Sequence, residues 1–456
     1  MSHAKELLRV PGSKSLAYGL VAMFAVAACV LNYPGHLSYD SLVQLSEGRS
    51  GRFASLHPPF ASAAVALLDR LWGGTALLMF VDVALLALAL GVMLRAMPRT
   101  SPLSNLLLLV FLASPVTLIY SGILWKDVLF AHLELLAFAL LMSSERRARW
   151  WKTALIVVVL AVAAQVRPQG LIIALVACIA LAFVAWPRLD RHFTARAASG
   201  LALFAGTMML SLILSALPAA GREGAAGIAQ GNAVPLLLLY DLAGIIHHRP
   251  ELDLTILAAG GADGPLLKQL MLTQYTPQRF DSLDIYRALP PSNQLYAPLL
   301  KQWLHAVATN PGAYLTHRLD VFSWQLGLHD PAQCLPVYVG IDDSDPALLN
   351  VLHLREGPSP YSGILWNYAA TMFRTPVFRG VAYVAVLVVS LLLLARAGFA
   401  RHLAATSLAI AALLFALSYL AVGIACDFRY LYFTLVAAMA CAIYATASAG
   451  GRQTGC

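Results

Sequence analysis

The stretch Leu403–Ala425 reads LAATSLAIAALLFALSYLAVGIA and contains no charged residue. An α-helix of about 20 predominantly apolar residues is long enough to cross the hydrocarbon core of a bilayer. Within lipid, only a helix or a closed barrel satisfies all of its own backbone hydrogen bonds. This stretch therefore predicts a membrane-spanning helix, and it decides which pattern to look for in the rest of the chain.

Further apolar runs of similar length occur along the sequence. They lie near residues 16–31, 75–95, 103–122, 128–142, 152–166, 170–186, 199–217, 379–396 and 430–447. Of the 456 residues, 59% are hydrophobic and 12% are charged, whereas soluble domains carry roughly 25% charged residues. A chain this apolar cannot bury its side chains in one core surrounded by water. We predict an all-α polytopic membrane protein with about ten transmembrane helices.

The basic residues fall in short clusters between these runs, and all clusters lie on one side when the helices are threaded in order. They are Lys5, Arg9 and Lys14; Arg95 and Arg99; Arg146, Arg147, Arg149 and Lys152; Arg188, Arg191 and Arg196; Arg396 and Arg401; and Arg452. Lysine and arginine are enriched in cytoplasmic loops, so this side, with both termini, is predicted to be the cytoplasm. The net charge of +8 then reflects membrane topology, and we expect no nucleic-acid partner.

The opposite, outer side receives a long segment of mixed composition. We predict an N-terminal transmembrane module at 1–217, a small and mostly helical extracytoplasmic domain at 218–378, and C-terminal transmembrane helices at 379–456. Outer loops of the first part are expected at 32–74, 123–127 and 167–169. The apolar run at 59–72 is too short to span and carries two charges, which predicts an interfacial or re-entrant helix on the outer face.

Two local features of the outer side follow from the sequence. Cys334 and Cys426 both lie outside in this topology and could pair as a disulfide. Asn310-Pro311 is typical of a helix start, with Asn as the cap and Pro at the first helical position. The helix that follows, to about Leu328, is amphipathic and is expected to lie on the membrane.

The first outer loop carries the first candidates for chemistry. Asp40 follows the first spanning helix by only a few residues, and its neighbour Tyr39 is a candidate substrate contact. A carboxylate at that place can act as a general base or bind a cation. The alternative is an ordinary solvated loop acid. His57 stands before Pro58-Pro59 at the end of the same loop and is a second candidate catalytic residue.

The second candidate site is the short outer turn that ends in Trp125, Lys126 and Asp127. A lysine and an acid at the mouth of two apolar helices are costly there, which makes them functional candidates. The alternative is an interfacial anchor, with the tryptophan in the aromatic belt and the lysine reaching to the headgroups. That alternative leaves Asp127 without a role.

Two arginines break the cytoplasmic trend of the basic residues. Arg167 precedes Pro168 between two helices, and Arg429 lies beside Asp427 and Tyr430 at the outer start of the last helix. A guanidinium matches phosphate oxygens in a bidentate way, so both are candidate phosphate ligands. The alternatives are a lipid-headgroup contact for Arg167 and a simple surface ion pair between Asp427 and Arg429.

The helix after Asn310 contributes the remaining candidates. Tyr314, His317 and Arg318 are three and four residues apart, so they share one helix face. We treat Arg318 as a candidate phosphate ligand, and Tyr314, His317 and Tyr430 as candidate contacts of the donor or the acceptor. A structural role for His317 is the alternative.

These residues place a few acids and several bases at helix ends on one face of the membrane. Many bases with few acids suit a polyanionic lipid headgroup. Transfer of a sugar from a phosphate carrier needs a base that removes the acceptor's proton and positive charge that stabilises the departing phosphate. The predicted sites offer both.

The order of these features resembles the GT-C superfamily of integral-membrane glycosyltransferases, which use polyprenyl-phosphate sugars. The resemblance covers the general plan of the chain and is most specific where Asp40 follows the first helix and His57 precedes Pro58-Pro59. Asp127 matches the position of a second acid in the second outer loop, and Arg429-Tyr430 is similar to an Arg-Tyr or Arg-Phe element near the end of family members.

The resemblance implies roles for the candidate residues. Asp40 would be the base or the acid that positions the acceptor, and Lys126, Arg167, Arg318 and Arg429 would bind phosphate. It also implies inversion at the anomeric carbon of the sugar. Some members bind a divalent metal between the two loops; the ligands available for one here are Asp40 and Asp127, with His36 and His57. Asp40 stands alone where many members carry two adjacent acids.

The sequence leaves other functions open. A flippase or transporter of lipid-linked glycans would also require cations, both on the outer side and buried in the bundle. A polymerase or ligase of surface polysaccharide likewise relies on arginines on the outer side. We favour a glycosyltransferase in the bacterial cytoplasmic membrane because the candidate residues cluster on the outer side. Its expected partners are a polyprenyl-phosphate-linked sugar, membrane lipids, and a glycan, lipid or protein acceptor.

Overall fold

The structure is a computed structural model. It describes residues 13–449 apart from 54–56, 147–148, 186–192, 217–232, 291–294, 331–333, 335 and 355–359. The described residues form α-helices joined by short 3₁₀ turns, and their only β-type pairings are three isolated bridges. The predicted cytoplasmic clusters at the N-terminus and around residue 188 fall partly outside the described residues.

The helices are numbered in chain order. The first ten are α1 Lys14–Asn32, α2 Tyr39–Ser50, α3 Pro59–Leu71, α4 Ala76–Ala96, α5 Pro102–Ala113, α6 Pro115–Tyr120, α7 Lys126–Arg146, α8 Trp150–Val166, α9 Gly170–Ala185 and α10 Phe193–Ala216. The next seven are α11 Val234–His248, α12 Thr255–Ala259, α13 Gly264–Gln274, α14 Tyr296–Thr309, α15 Pro311–Gln325, α16 Pro346–Leu352 and α17 Ser362–Ala370. The last three are α18 Gly380–Ala397, α19 Leu403–Val422 and α20 Tyr432–Ala449.

Within the described residues, seven helices are long and apolar enough to cross a membrane: α1, α4, α7, α10, α18, α19 and α20, the last two with their preceding 3₁₀ turns. Four shorter helices, α5, α8, α9 and α11, are also apolar. The prediction of an all-α polytopic membrane protein is thereby confirmed, and the predicted number of about ten spans is close to what the structure contains. Which end of the bundle faces the cytoplasm stays a prediction.

The centre of the bundle is made by α7 and α20, the two most enclosed spans. Phe130 of α7 packs against Phe433 of α20 and Phe415 of α19, with ring centroids 5.3 to 5.8 Å apart. Close packing of large rings fixes the axial positions of these helices. Lys126 is the first residue of α7, and Arg429 lies in the 3₁₀ turn Phe428–Leu431 that leads into α20. The packing of the core therefore sets the axial positions of these two cations.

One predicted span differs from the structure. The run at 103–122 is not a single helix but two, α5 and α6, separated at Ser114, whose ψ of 134° is not helical. Pro115 explains the break because it has no N–H to donate and its ring disfavours the helical conformation of the residue before it. The change of direction brings the turn at 121–125 over the end of α1.

The short run after Pro58 is a helix, α3, as predicted. It packs tightly on α2: a Cβ at Gly48 would lie 2.4 Å from the carbonyl oxygen of Ser62, and the Ser62 hydroxyl donates to Glu47 at 2.8 Å. Leu67 and Leu71 remain exposed, which suits the interfacial position that we expect for this helix.

Helices α11–α15 enclose a second hydrophobic core, separate from the core of the bundle. The domain boundary at 218–378 stays a prediction. The predicted helix start at Pro311 is present, but Asn310 does not cap it with its side chain. Its side chain is held instead at the end of the preceding helix, where the amide nitrogen donates to Ala306 O at 3.3 Å and to Thr309 Oγ1 at 2.9 Å. Cys334 and Cys426 form a disulfide.

Three separate segments are joined beside the predicted site. His36 N donates to Gly122 O at 2.8 Å, and Leu37 N donates to Gly340 O at 2.8 Å. The His36 ring is also held at both nitrogens: Nδ1 accepts from Gly340 N at 3.0 Å, and Nε2 lies 3.0 Å from Asn32 Oδ1. Since Nδ1 must accept, Nε2 donates. The first outer loop is thus tied to two other parts of the chain just before α2.

We predict that Gly122→Ala destabilises the protein. The added Cβ would lie 2.2 Å from the Cβ of Asn32, and Asn32 cannot yield because its amide donates to Ala28 O and Leu118 O. The free energy of unfolding in detergent should fall by about 1–3 kcal/mol, as overpacking usually costs. Gly91→Ala is the control, because its Cβ would meet no atom within 4 Å. Equal unfolding curves for the two variants would contradict the rigid contact.

Candidate active site

Asp40 lies among three basic side chains. Its Oδ2 is 2.6 Å from Nη2 of Arg429 and its Oδ1 is 3.8 Å from Nε2 of His57. Lys126 stands behind His57, with Nζ 3.1 Å from Nδ1. The Asp40 side chain is still 32% exposed. Residues from the first loop, the second outer turn and the start of the last helix therefore meet at one accessible carboxylate.

Each of these side chains sits where a helix begins. Asp40 occupies the first turn of α2, whose N-terminus favours a negative charge. Lys126 opens α7, and Arg429 lies in the 3₁₀ turn Phe428–Leu431 that leads into α20. His57 comes just before Pro58, the N-cap residue of α3. Helix starts allow charged side chains to reach the membrane edge while their helices stay apolar.

The state of His57 follows from its neighbours. Lysine can only donate, so Nδ1 of His57 accepts from Lys126 and its proton is on Nε2, the nitrogen that faces Asp40. Burial, with the positive charge of Lys126, lowers the pKa of His57 to about 4. His57 is therefore neutral at neutral pH. It can donate from Nε2, but its acceptor nitrogen is already engaged, so it is a poor candidate for the base.

Asp40 is the better base on geometric grounds, and its charge is strongly held. Burial alone would raise the pKa of Asp40, but attraction by Arg429, His57 and Lys126, with the hydrogen bond from Arg429, outweighs burial and leaves the pKa below its ordinary value. In this state the carboxylate is ionised and paired. Its basicity is suppressed for as long as Arg429 stays on it.

Arg429 bridges two acids and stacks on two rings. Its Nη2 lies 2.6 Å from Asp40 and 3.2 Å from Asp427 Oδ2. Its guanidinium carbon is 5.0 Å from the centroid of Trp125 and 5.4 Å from that of Tyr430. The pair of Asp427 with Arg429 is thus part of a larger network and not a simple surface pair.

The interfacial-anchor interpretation of Trp125 is wrong. The indole is 4% exposed, lies beneath the guanidinium of Arg429, and donates from Nε1 to Ser38 Oγ at 2.7 Å. Ser38 directly precedes α2. Trp125 therefore connects the platform under Arg429 to the start of the helix that carries Asp40.

Asp127 and Arg167 form a second ion pair beside the first. Their side chains are in contact and only 3% and 8% exposed. Arg167 is also surrounded by rings, 5.1 Å from the centroid of Tyr430 and 5.5 Å from that of Tyr419. Tyr430 thus lies between Arg167 and Arg429. The structure brings Asp127, Arg167 and Tyr430 to the site, but as a buried layer below the exposed carboxylate.

The candidates on α15 lie elsewhere. Arg318 is 2% exposed, contacts the carboxylate of Asp241, and donates from Nη1 to Gly423 O at 2.8 Å. His317 Nε2 is 3.2 Å from Asp241, and Tyr314 stands beside Arg318, whose guanidinium carbon is 6.0 Å from its ring. Arg318 therefore does not lie with the other candidate phosphate ligands: Asp241, a buried acid of the second hydrophobic core, holds it. Tyr39, in contrast, is exposed next to Asp40.

The described residues do not fit a divalent metal. They contain no group of three or more His, Cys, Asp and Glu side chains that could hold one. Asp40 and Asp127 each face a guanidinium, and both ring nitrogens of His36 are engaged. Positively charged partners occupy the places where a cation would have to bind, so no step below involves a metal.

Sequence reasoning missed two residues that shape the site. Asp241, which holds Arg318, is a lone acid within the apolar run of α11; acids in such runs are rare and usually paired, so this signal was available. Ser38 carries no comparable signal, because a serine before a helix is common and its contact with Trp125 depends on tertiary structure.

Comparison with known proteins adds little. No protein-family model matches the chain, and no curated protein matches it significantly. Among solved structures, the chain is similar to ArnT from Cupriavidus metallidurans, whose crystal structure has undecaprenyl phosphate bound. The identity is 14%, the match covers 96% of this chain and 78% of that chain, and the TM-score is 0.33. A likeness at this TM-score carries no argument about function.

We predict that Asp127→Asn lowers stability far more than a change at an exposed pair. It leaves the charge of Arg167 buried without a partner, which typically costs about 3–5 kcal/mol. Glu251→Gln is the control, since Glu251 and Arg249 are 69% and 58% exposed and such pairs contribute at most about 1 kcal/mol. Denaturant unfolding of both variants in detergent measures the difference. A fully stable Asp127→Asn would show that Arg167 does not depend on this acid.

Proposed function

We propose that the protein is a glycosyltransferase that moves a sugar from a polyprenyl-phosphate donor to an envelope glycan, lipid or protein at the outer face of the bacterial cytoplasmic membrane. One observation carries this proposal. A carboxylate that is about one third exposed, Asp40, lies within reach of Arg429 and His57, with Lys126 behind His57, at one end of an apolar helix bundle. This is the combination of base and cations that the reaction requires.

The position of the cations suits a lipid-linked phosphate. Lys126 and Arg429 stand at the starts of two membrane-spanning segments, so a phosphate that binds them can keep its hydrocarbon tail in the bilayer. Arg429 offers a planar fork for phosphate oxygens and Lys126 a point charge. His57 adds a neutral N–H donor at Nε2.

Binding of the donor would activate Asp40. The phosphate competes with Asp40 for the guanidinium of Arg429, because both are anions that seek the same donors. When Arg429 turns to the phosphate, Asp40 loses its closest counter-charge and gains an anionic neighbour. Both changes favour its protonated form. Its basicity therefore rises at the stage at which a proton must be accepted.

The transfer then proceeds in one displacement. The acceptor hydroxyl attacks the anomeric carbon of the sugar while Asp40 takes the hydroxyl proton. The bond from the anomeric carbon to the phosphate oxygen breaks, and its electron pair leaves with the polyprenyl phosphate. Arg429 and Lys126 stabilise the negative charge that grows on that oxygen. A single displacement inverts the anomeric configuration.

A flippase of lipid-linked glycans fits less well. Passage of an anionic headgroup through the bundle calls for cations along the spans. The buried ionisable side chains there include the acids Asp82 of α4 and Glu134 of α7, with His132 3.9 Å from Asp82. Acids in the spans offer a phosphate none of the positive charge that its passage calls for. A polymerase or ligase of surface polysaccharide would use the same site chemistry and differs from our proposal only in the acceptor.

We predict that Asp40→Asn abolishes transfer without loss of the folded protein. The readout is the mass of envelope glycans and glycolipids from a deletion strain that carries either the native protein or the variant at equal level. Loss of a general base lowers rates by about 10²–10⁴-fold, so the sugar mass that the native protein restores should be missing. Glu251→Gln, at an exposed acid, is the matched control and should restore it. Full restoration by Asp40→Asn would refute Asp40 as the base.

We also predict different acid limbs for two kinetic constants. The pH profile of kcat/KM reports groups of the free enzyme, and that of kcat reports groups of the donor complex. Asp40 must be ionised to act, and its pKa is lowered in the free site, so kcat/KM should persist to below pH ~3.9, the ordinary aspartate value. The acid-side loss of kcat should occur at a higher pH, because Arg429 pairs with the phosphate in the donor complex and no longer with Asp40. If kcat and kcat/KM were lost at the same pH, the proposed change of partner by Arg429 would be contradicted.

A further inference from the structure

The segment Gly423–Asp427, here called the lead segment, connects α19 to the turn that holds Arg429. Three of its five residues are hydrogen-bonded to residues between Gln278 and Arg318. Arg318 donates to Gly423 O, Phe280 N donates to Ile424 O, and Cys426 N donates to Gln278 O, each at 2.8 Å. Cys426 is also joined to Cys334. All these attachments lie within the six residues that precede Arg429.

Arg318 is the most firmly held of these attachments. Its guanidinium contacts Asp241, which also accepts from Trp303 Nε1 at 2.8 Å. His317 lies 3.2 Å from the same carboxylate and 2.8 Å from the hydroxyl of Tyr275. The Asp241 and Arg318 side chains are each 2% exposed. Burial lowers the pKa of His317, so the charges of this cluster are those of Asp241 and Arg318 alone.

The direction of the Arg318 side chain separates two interpretations. A purely structural pair would satisfy both partners inside the outer core. Arg318 instead extends one nitrogen out of that core to a backbone carbonyl six residues before Arg429. It does so from a site with almost no solvent access, which also excludes direct contact with a substrate phosphate. A bond from a charged donor to a buried carbonyl is among the stronger hydrogen bonds in proteins.

We propose that Arg318 is a positioning residue: through its bond to Gly423 it fixes the lead segment, and thereby holds the guanidinium of Arg429 against Asp40. The outer cluster around Asp241 serves as the anchor, and the disulfide at Cys426 is the second attachment of the same segment. This inference rests on the proposed function only in its kinetic consequence. Its structural consequence, the order of the lead segment, can be measured on its own.

The test uses Arg318→Lys in the full-length protein. A lysine keeps the positive charge that Asp241 needs, but its single ammonium cannot serve Asp241 and Gly423 with the geometry of a guanidinium fork. Hydrogen exchange of the peptide over residues 423–430 should become faster, while exchange of α7 stays native. The KM for a polyprenyl-phosphate sugar should rise about tenfold, because a displaced Arg429 would lose one charge-assisted hydrogen bond to the phosphate. The value of kcat should change less.

A second signature separates positioning from mere stability. When Arg429 is held less firmly, it attracts the Asp40 carboxylate less, and the pKa of Asp40 rises. In Arg318→Lys, the loss of kcat/KM on the acid side should therefore occur at a higher pH. Replacing both Cys334 and Cys426 by serine should act in the same direction by loosening the second attachment. Arg249→Lys, at an exposed pair of the same outer part, is the matched control and should leave exchange, KM and the limb unchanged.

The inference would be overturned if hydrogen exchange over residues 423–430 in Arg318→Lys were as slow as in the native protein. It would also be overturned if Arg318→Lys were less stable but its folded molecules kept the native KM and the native pH dependence of kcat/KM. If the variant fails to fold, the double serine variant provides the same measurements. Failure of the proposed function looks different: Asp40→Asn would then retain transfer, while exchange at the lead segment would still report whether Arg318 holds it.

Discussion

The contact between Asp40 and Arg429 is the constraint on which the site depends. An isolated charge at the membrane edge is costly unless an opposite charge neutralises it, and these two residues come from the first outer loop and from the start of the last helix. The fold must therefore bring the two ends of the chain together at one place. The packing of α7 on α20 sets the height of Arg429, and the ties of His36 to Gly122 and Gly340 set that of Asp40.

Two ion pairs lie side by side but differ in access, and access decides what each can do. Asp127 and Arg167 are sealed among rings, where exchange of partners would leave a charge unpaired. Such a pair is a fixed part of the scaffold. Asp40 keeps about a third of its side chain exposed, so water or a phosphate can replace it on Arg429 at lower cost. The same chemistry thus yields one structural pair and one exchangeable pair.

The sequence predicts the helices and the residues of the site better than their contacts. Apolar length predicts the helical runs, except that the run at 103–122 is two helices. Charges at helix ends single out Asp40, Lys126, Arg167 and Arg429, because a charge in lipid needs a reason. The structure places these four side chains in one network, and their roles in a reaction stay a prediction. The exception is Arg318. Its helix face was predicted correctly, but its partner Asp241 is far away in sequence, and periodicity carries no information on distant partners. The break at Ser114 could have been predicted from Pro115, because the residue before a proline is biased away from the helical conformation.

The balance of charge explains how one site can serve the resting and the reacting state. Asp40, Asp127 and Asp427 contact Arg429 or Arg167, with Lys126 and the neutral His57 beside them. Glu47, Arg279 and Asp281 are further ionisable groups that act on this network. In the proposed transfer, Asp40 becomes neutral as it takes the acceptor's proton, and the departing phosphate gains one negative charge. The total does not change. During the transfer itself, negative charge moves from Asp40 to the phosphate that Arg429 already holds, so the cations need no further rearrangement, which is the condition for effective electrostatic catalysis.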